Sequence, residues 1–212
     1  KGADLLDIPE HIVVMTFSYL RDIKELICEN KDEIIYLPPF YHSEVGIAKR
    51  IYEISQASKS SESINFEKIL KDIQRRNNIK YDETQISAIK TAISSKFSVI
   101  TGGPGVGKTT ITKAIIDIFK SMDKKIILTA PTGRAAKRMT EACKIESKTI
   151  HRLLEGDCKG KFSKNEENKL NGDVIIVDEC SMIDVILMYN LLKAIPNEMT
   201  VILIGDADQL PS

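Results

Sequence analysis

The chain has 212 residues, with 30 Lys and Arg against 30 Asp and Glu and a formal net charge of zero. That length holds one large domain or two small ones with a real core, and the neutral balance means that any nucleic-acid surface must come from local clustering of basic residues. No apolar run approaches the roughly 18 to 20 residues of a membrane span, and Cys28, Cys143, Cys158 and Cys180 form no CxxC pair, which argues against zinc and for plain thiols in a reducing cytoplasm. The start, Lys1-Gly2-Ala3-Asp4, has no apolar leader and no initiating Met, so it reads as an internal boundary of a longer protein.

Residues 1–79 read as a small, mainly helical domain. Pro9 suits a helix start, and Ile12, Val13, Phe17, Leu20, Ile23, Leu26 and Ile27 recur at helical spacing. "EIIYLPP" is a short strand ended by Pro38-Pro39, Glu44 to Ile54 is helical again, and "SQASKSSES" is a polar linker. Phe66, Ile69, Leu70 and Ile73 mark one more amphipathic helix.

From residue 80 to 212 strands and helices alternate. The strands are "KFSVI", "KIILTA", "DVIIV" and "MTVILIG"; the helices are "TTITKAIIDIFK", "GRAAKRMTEAC" and "MIDVILMYNLLKAI". Alternation at these lengths predicts an α/β fold, a parallel sheet with helices on both faces. Ligands of such sheets bind beyond the carboxyl ends of the strands, which puts Thr101, Thr129, Asp178 and Gly205 along one working edge.

"GGPGVGKTT" follows the first of these strands and opens a helix. Gly102, Gly107, Lys108 and Thr109 fill the fixed positions of GxxxxGK(S/T). The glycines let backbone N–H groups converge on a phosphate chain, and the helix N-terminus adds its positive dipole end. Gly102, Gly103, Pro104, Gly105, Val106, Gly107, Lys108, Thr109 and Thr110 are therefore the expected ATP-binding residues, with Lys108 on the β- and γ-phosphates and the Thr109 hydroxyl on Mg²⁺. "VIIVDECS" supplies the other half. Asp178, at the end of a buried strand, suits a second Mg²⁺ anchor, and Glu179 suits the orientation and deprotonation of an attacking water. Cys180 reads as a small packed residue rather than a nucleophile.

In order, "YDETQISAIKTAI", "GGPGVGKTT", "LTAPTGRAAKRM", "TIHRLL", "VIIVDECSMID" and "GDADQLPS" resemble the first motor domain of RecD-type superfamily 1 DNA helicases, over Tyr81 to Ser212. The resemblance implies a RecA-like P-loop fold and ATP-driven 5′-to-3′ movement on single-stranded DNA in recombination and repair. It gives Gln85 the adenine edge, Pro131, Thr132, Arg134, Thr149 and His151 contacts to DNA, and Gln209 the γ-phosphate. Asp206 falls near the metal edge. Cys180 stands where the family often has Ala. The resemblance also implies a second motor domain that supplies arginines to the γ-phosphate, so residues 1–212 alone are expected to bind ATP–Mg²⁺ and single-stranded DNA weakly, and to unwind nothing.

Local charge agrees with a DNA surface. Between Ala130 and Arg152 six basic residues face two acidic ones, a net +4. Residues 155–172 interrupt the alternation and are too long and polar for an ordinary connection. Lys159-Gly160 could turn a hairpin there, and the resemblance makes that hairpin the pin that splits a duplex. Two other readings compete: another phosphate-loop enzyme such as a small-molecule kinase, for which neither lid arginines nor an acceptor pocket is evident, and a nucleotide-binding interaction module without helicase activity.

Overall fold

The structure, a computed structural model, describes residues 7–29, 34–57, 65–158 and 160–206. It divides into two compact units, Lys1–Ala48 and Lys49–Ser212. In the first unit, helix α1 (Glu10–Asp22) follows Pro9 and fully buries no side chain. The helical spacing predicted to reach Ile27 breaks earlier. Lys24 adopts φ 61°, and the N–H groups of Glu25 and Leu26 both donate to the Leu20 carbonyl. Strand β1 (Ile27–Glu29) then pairs antiparallel with β2 (Ile34–Tyr36). Helix α2 (Pro38–Gln56) starts at the proline pair itself, because a first helical turn needs no N–H donor from those positions.

The second unit contains the sheet. Helix α3 (Phe66–Asn77) is capped by Asn65, whose side chain accepts the Lys68 N–H at 3.1 Å, and it buries Leu70 and Ile73. These side chains join the core formed by Ile89 of helix α4 (Glu83–Ser94), Ile115 of α5 (Lys108–Ser121) and the sheet. Helix α3 therefore packs with the sheet, inside the compact unit that begins at Lys49.

Five strands form one parallel sheet: β3 (Phe97–Thr101), β4 (Ile126–Ala130), β5 (Ser147–Thr149), β6 (Val174–Val177) and β7 (Thr200–Gly205), in the spatial order β3-β7-β6-β4-β5. Every residue of β6 and β7 is buried, as a parallel sheet covered on both faces requires. The α/β expectation holds, and β5, too short and polar to read in the sequence, extends the sheet by one strand. Helices α6 (Gly133–Cys143), α7 (Ile150–Leu153) and α8 (Val185–Ala194) complete the unit, with a 3-10 turn over Cys180–Met182 before α8. Among the described residues no helix is long and apolar enough to cross a membrane.

The described part of 155–172 is not one long hairpin. A small one spans Gly156 to Phe162, with the Asp157 N–H donating to the Lys161 carbonyl at 2.9 Å and Gly160 at φ 75°. Next comes a turn in which the Asn165 side chain accepts the N–H groups of Glu167 and Asn168. The segment then anchors on the end of α8. The Leu170 N–H donates to the Ala194 carbonyl at 2.8 Å, and Lys169 Nζ donates to the Lys193 carbonyl at 2.7 Å. Arg50 reaches the same helix end, donating to the carbonyls of Ile195 at 2.8 Å and Leu192 at 3.3 Å while pairing with Glu53. Carbonyls at a helix C-terminus have no partner within the helix, and two cations there also suit the dipole. Burial first, then the nearby Arg50 charge, pushes the Lys169 ammonium below its ordinary range.

Close approach governs the end of β7. A Cβ built on Gly205 would lie 2.7 Å from Cys180 Sγ and 3.2 Å from the Ser181 nitrogen. Gly205→Ala should cost roughly 1–3 kcal/mol of stability, and Cys180→Ala in the same chain should recover part of it; additive losses in a denaturation cycle would rule out the contact as the cause. Arg50→Ala should cost about 2 kcal/mol, as expected for hydrogen bonds from a charged donor, and Arg50→Lys should not restore it, since one ammonium cannot span both carbonyls. A urea midpoint unchanged by Arg50→Ala would show that this cap does not hold α8.

Candidate functional site

Strand β3 delivers the chain into the loop 102–107, and α5 begins at Lys108. Gly105 and Gly107 take φ 81° and 89°, a region that other residues enter only with strain. A Cβ on Gly107 would also lie 2.7 Å from Gln85 Nε2, so that carboxamide would have to move aside. Gln85 belongs to the capping box of α4. Its N–H donates to Asp82 Oδ1 at 2.8 Å, its Oε1 accepts the Asp82 N–H at 3.2 Å, and its Nε2 donates to the Val106 carbonyl at 3.3 Å. The carboxamide thus ties α4 to the loop and retains one donor and one acceptor site. Lys108 Nζ curls back onto the loop, donating to the carbonyls of Gly102 and, at 2.9 Å, Gly103. It also lies 3.9 Å from Asp206 Oδ2.

Asp178 follows the fully buried strand β6, and its N–H donates to the Thr129 carbonyl at 2.9 Å. Burial pushes its carboxyl above the ordinary range and the Glu179 charge adds to this, while the Glu179 N–H, Arg138 and Lys108 oppose it. A cation offsets that cost of burial. Asp178 and the exposed Thr109 line one cleft of about 100 Å³ together with Thr112, Arg138, Met139 and Glu179. A hydroxyl and a carboxylate are hard oxygen donors, the kind that Mg²⁺ prefers, so the donor set fits that ion.

Glu179 adopts φ 53° and starts the 3-10 turn. Its Oε1 lies 3.4 Å from Arg138 Nη2. This pairing across 41 residues left no mark in the sequence, where Arg138 counted only toward local charge. Cys180 packs against Gly205, and burial, then the Asp178 charge, pushes its thiol up, the opposite of what a nucleophilic thiolate needs. Asp206, 2 % exposed, follows β7, the strand between β3 and β6. Its contact with Lys108 is more specific than the position near the metal edge expected for it. Gln209 lies outside the described residues.

The expected DNA-contact residues gather at the carboxyl ends of β4 and β5, where Ala130 stands in register with Thr149. Thr132 caps α6, its hydroxyl oxygen accepting the Ala135 N–H at 3.2 Å, and Thr149 caps α7, accepting the Arg152 N–H at 3.3 Å. Each hydroxyl keeps its own proton to donate. Pro131 is half-buried and Arg134 is exposed. The His151 ring tilts at 50° against Phe162, 5.8 Å between centroids, so it supports the small hairpin at the same edge.

The AAA domain family matches residues 85–212. The ATP-dependent RecD2 DNA helicase of Deinococcus radiodurans is 36% identical over 177 residues, 84% of this chain and 24% of that protein. The RecBCD enzyme subunit RecD of Buchnera aphidicola subsp. Schizaphis graminum is 37% identical over 204 residues, 85% of this chain and 33% of that protein. A solved structure described as "Structural Basis for DNA Unwinding at Forked dsDNA by two coordinating Pif1 helicases" aligns with a TM-score of 0.47 at 24% identity, covering 63% of this chain and 35% of that one. The chain thus spans about a quarter to a third of the curated relatives it matches. By the reach of the AAA domain match, which spans more than half of its length, the chain belongs to the AAA domain family, and in sequence it is similar to RecD-type helicases.

Proposed function

We propose that the chain is the ATP-binding part of a DNA helicase that moves 5′ to 3′ on single-stranded DNA. The observation that carries this reading is the shared cleft: Thr109, in the first turn of α5 next to Lys108, and Asp178 and Glu179, which follow β6, open onto one space. In this reading the loop N–H groups and Lys108 hold the β- and γ-phosphates, and Thr109 and Asp178 hold Mg²⁺. The ion, when bound, neutralises phosphate charge. Glu179 orients the attacking water and takes its proton. Lys108 donates to its own loop carbonyls here, so nucleotide phosphates would exchange with those carbonyls for the same ammonium. The RecD-type relatives support the DNA motor assignment. Because they extend well beyond the matched part, we infer that fast turnover also needs arginines supplied from a second motor domain.

Lys108→Ala should weaken ATP–Mg²⁺ binding at least ten-fold by titration calorimetry, whereas Glu179→Gln should keep binding and lower hydrolysis by the intact protein by about 10²-fold or more. Normal turnover by Glu179→Gln would refute the water-handling role. Residues 1–212 alone should bind nucleotide and hydrolyse it slowly; robust DNA-stimulated turnover by them would refute the need for a second domain.

The small hairpin beside Thr149 and His151 is the part of 155–172 that suits a duplex-splitting pin. On a strand-displacement assay the intact protein should open a duplex bearing a 5′ single-stranded tail and not one bearing a 3′ tail. Replacing residues 157–161 by a tight two-residue turn should abolish opening while DNA-stimulated ATP hydrolysis persists. Loss of both activities together would refute the pin, and a preference for the 3′ tail would refute the polarity.

A further inference from the structure

Helix α6 carries features of two different sites. Its first turn holds the expected DNA contacts, the Thr132 cap and Arg134. One turn further along, Arg138 pairs with Glu179. Positions i and i+4 of a helix lie on one face, so Arg134 and Arg138 form a basic stripe running from the edge shared by β4 and β5 toward the carboxylates that follow β6. The two arginines have different company. Arg138 lines the cleft with Thr109, Asp178 and Glu179, and Arg134 does not. The Arg138 side chain is nevertheless 63% exposed, against 22% for Glu179. The guanidinium is therefore the more exposed member of the pair and the one that an anion from solution can reach.

We infer that Arg138 is a positioning residue shared between Glu179 and the DNA backbone: without DNA it holds the Glu179 carboxylate, and a phosphodiester of bound single-stranded DNA draws it away. The inference rests on the reading of Glu179 as the water-handling group and of the α6 N-terminus as a DNA contact. The chemistry is an exchange of one anion for another on a single guanidinium, which forks equally well onto a carboxylate or a phosphate. While Arg138 engages Oε1, the guanidinium competes with a water in the cleft for the carboxylate. Once a phosphate takes the guanidinium, the carboxylate is released. Glu179 sits at φ 53°, at the start of a three-residue turn, so its backbone is held while its side chain is freed. DNA binding and release of the carboxylate become linked equilibria, and each must strengthen the other by the same factor.

A part-exposed pair of this kind corresponds to a factor of about two to five. In the intact protein without nucleotide, Glu179→Gln should tighten binding of labelled oligothymidylate by about that factor when Arg138 is present, and not when Arg138→Ala is also made. Arg138→Ala alone should lower the salt slope of binding by about 0.7, one phosphate contact on a single strand. It should also raise DNA-independent ATP hydrolysis by about two- to five-fold and shrink the stimulation by DNA to match. Arg138→Lys, which keeps the charge, should recover most of both effects, and Arg138→Gln should repeat those of Arg138→Ala with the aliphatic stem retained. Equal tightening by Glu179→Gln with and without Arg138 would mean that only a repelling carboxylate had been removed, and would overturn the inference. A DNA-independent rate that does not rise in both Arg138→Ala and Arg138→Gln would overturn it as well. If Glu179→Gln hydrolyses ATP normally, the water-handling role fails on its own, and the binding cycle still decides whether Arg138 is shared.

Discussion

The parallel pairing of β7 with β3 on one side and β6 on the other is the constraint on which the nucleotide edge depends. Registering Thr101 with Gly205, and Val177 with Leu203, brings three chain exits to one level. From them emerge the glycine loop, Asp206 and the Asp178-Glu179 pair. The side chains that meet there are separated by up to about a hundred residues in sequence and held by backbone hydrogen bonds that water cannot reach. Gly205 completes the arrangement by giving up its side chain, which lets the turn at Cys180 close against the strand.

Charge at this edge is balanced locally. Lys108 faces Asp206, and Arg138 faces Glu179. Asp178 is the group left carrying a burial cost, and its carboxyl responds by rising. The edge therefore alternates in sign, and in the function proposed above phosphate binding would amount to a rearrangement of these partners. The same economy holds at the helix starts. Thr132 and Thr149 serve as caps, each hydroxyl oxygen accepting a backbone N–H. Residues of this type are common at helix N-termini for reasons of stability alone, so their presence by itself says little about DNA.

Much of this was legible in the sequence wherever the signal is local. The phosphate loop, the buried strands ending in Asp178 and Gly205, and the helices after them follow from spacing within a dozen residues. What could not be read depends on long-range contacts. Strand β5 is three residues of ordinary polarity, and only β4 gives it a partner. Arg50 looked like one charge on an amphipathic helix, but it caps a helix more than a hundred residues away. Leu70 and Ile73 were correctly marked as an apolar face, yet nothing local said that the face belonged to the sheet unit. The polar run after Leu154 looked like one hairpin because Lys159-Gly160 offers a tight turn near its middle. The Asn165 side chain divides it by making a second turn of its own.

The strand order also sets a timetable for synthesis. Among the described strands β3 pairs only with β7, and β7 leaves the ribosome after the other four strands of this sheet, some hundred residues after β3. Strands β4, β5 and β6 can associate while the chain is still growing, since their pairings close shorter loops. The phosphate-loop strand must wait, with its Val and Ile side chains unpaired, until β7 enters between it and β6. An exposed apolar strand of this kind is open to wrong partners. The glycine loop, the part of the sequence easiest to recognise, is thus among the last parts of the edge to gain its support during folding.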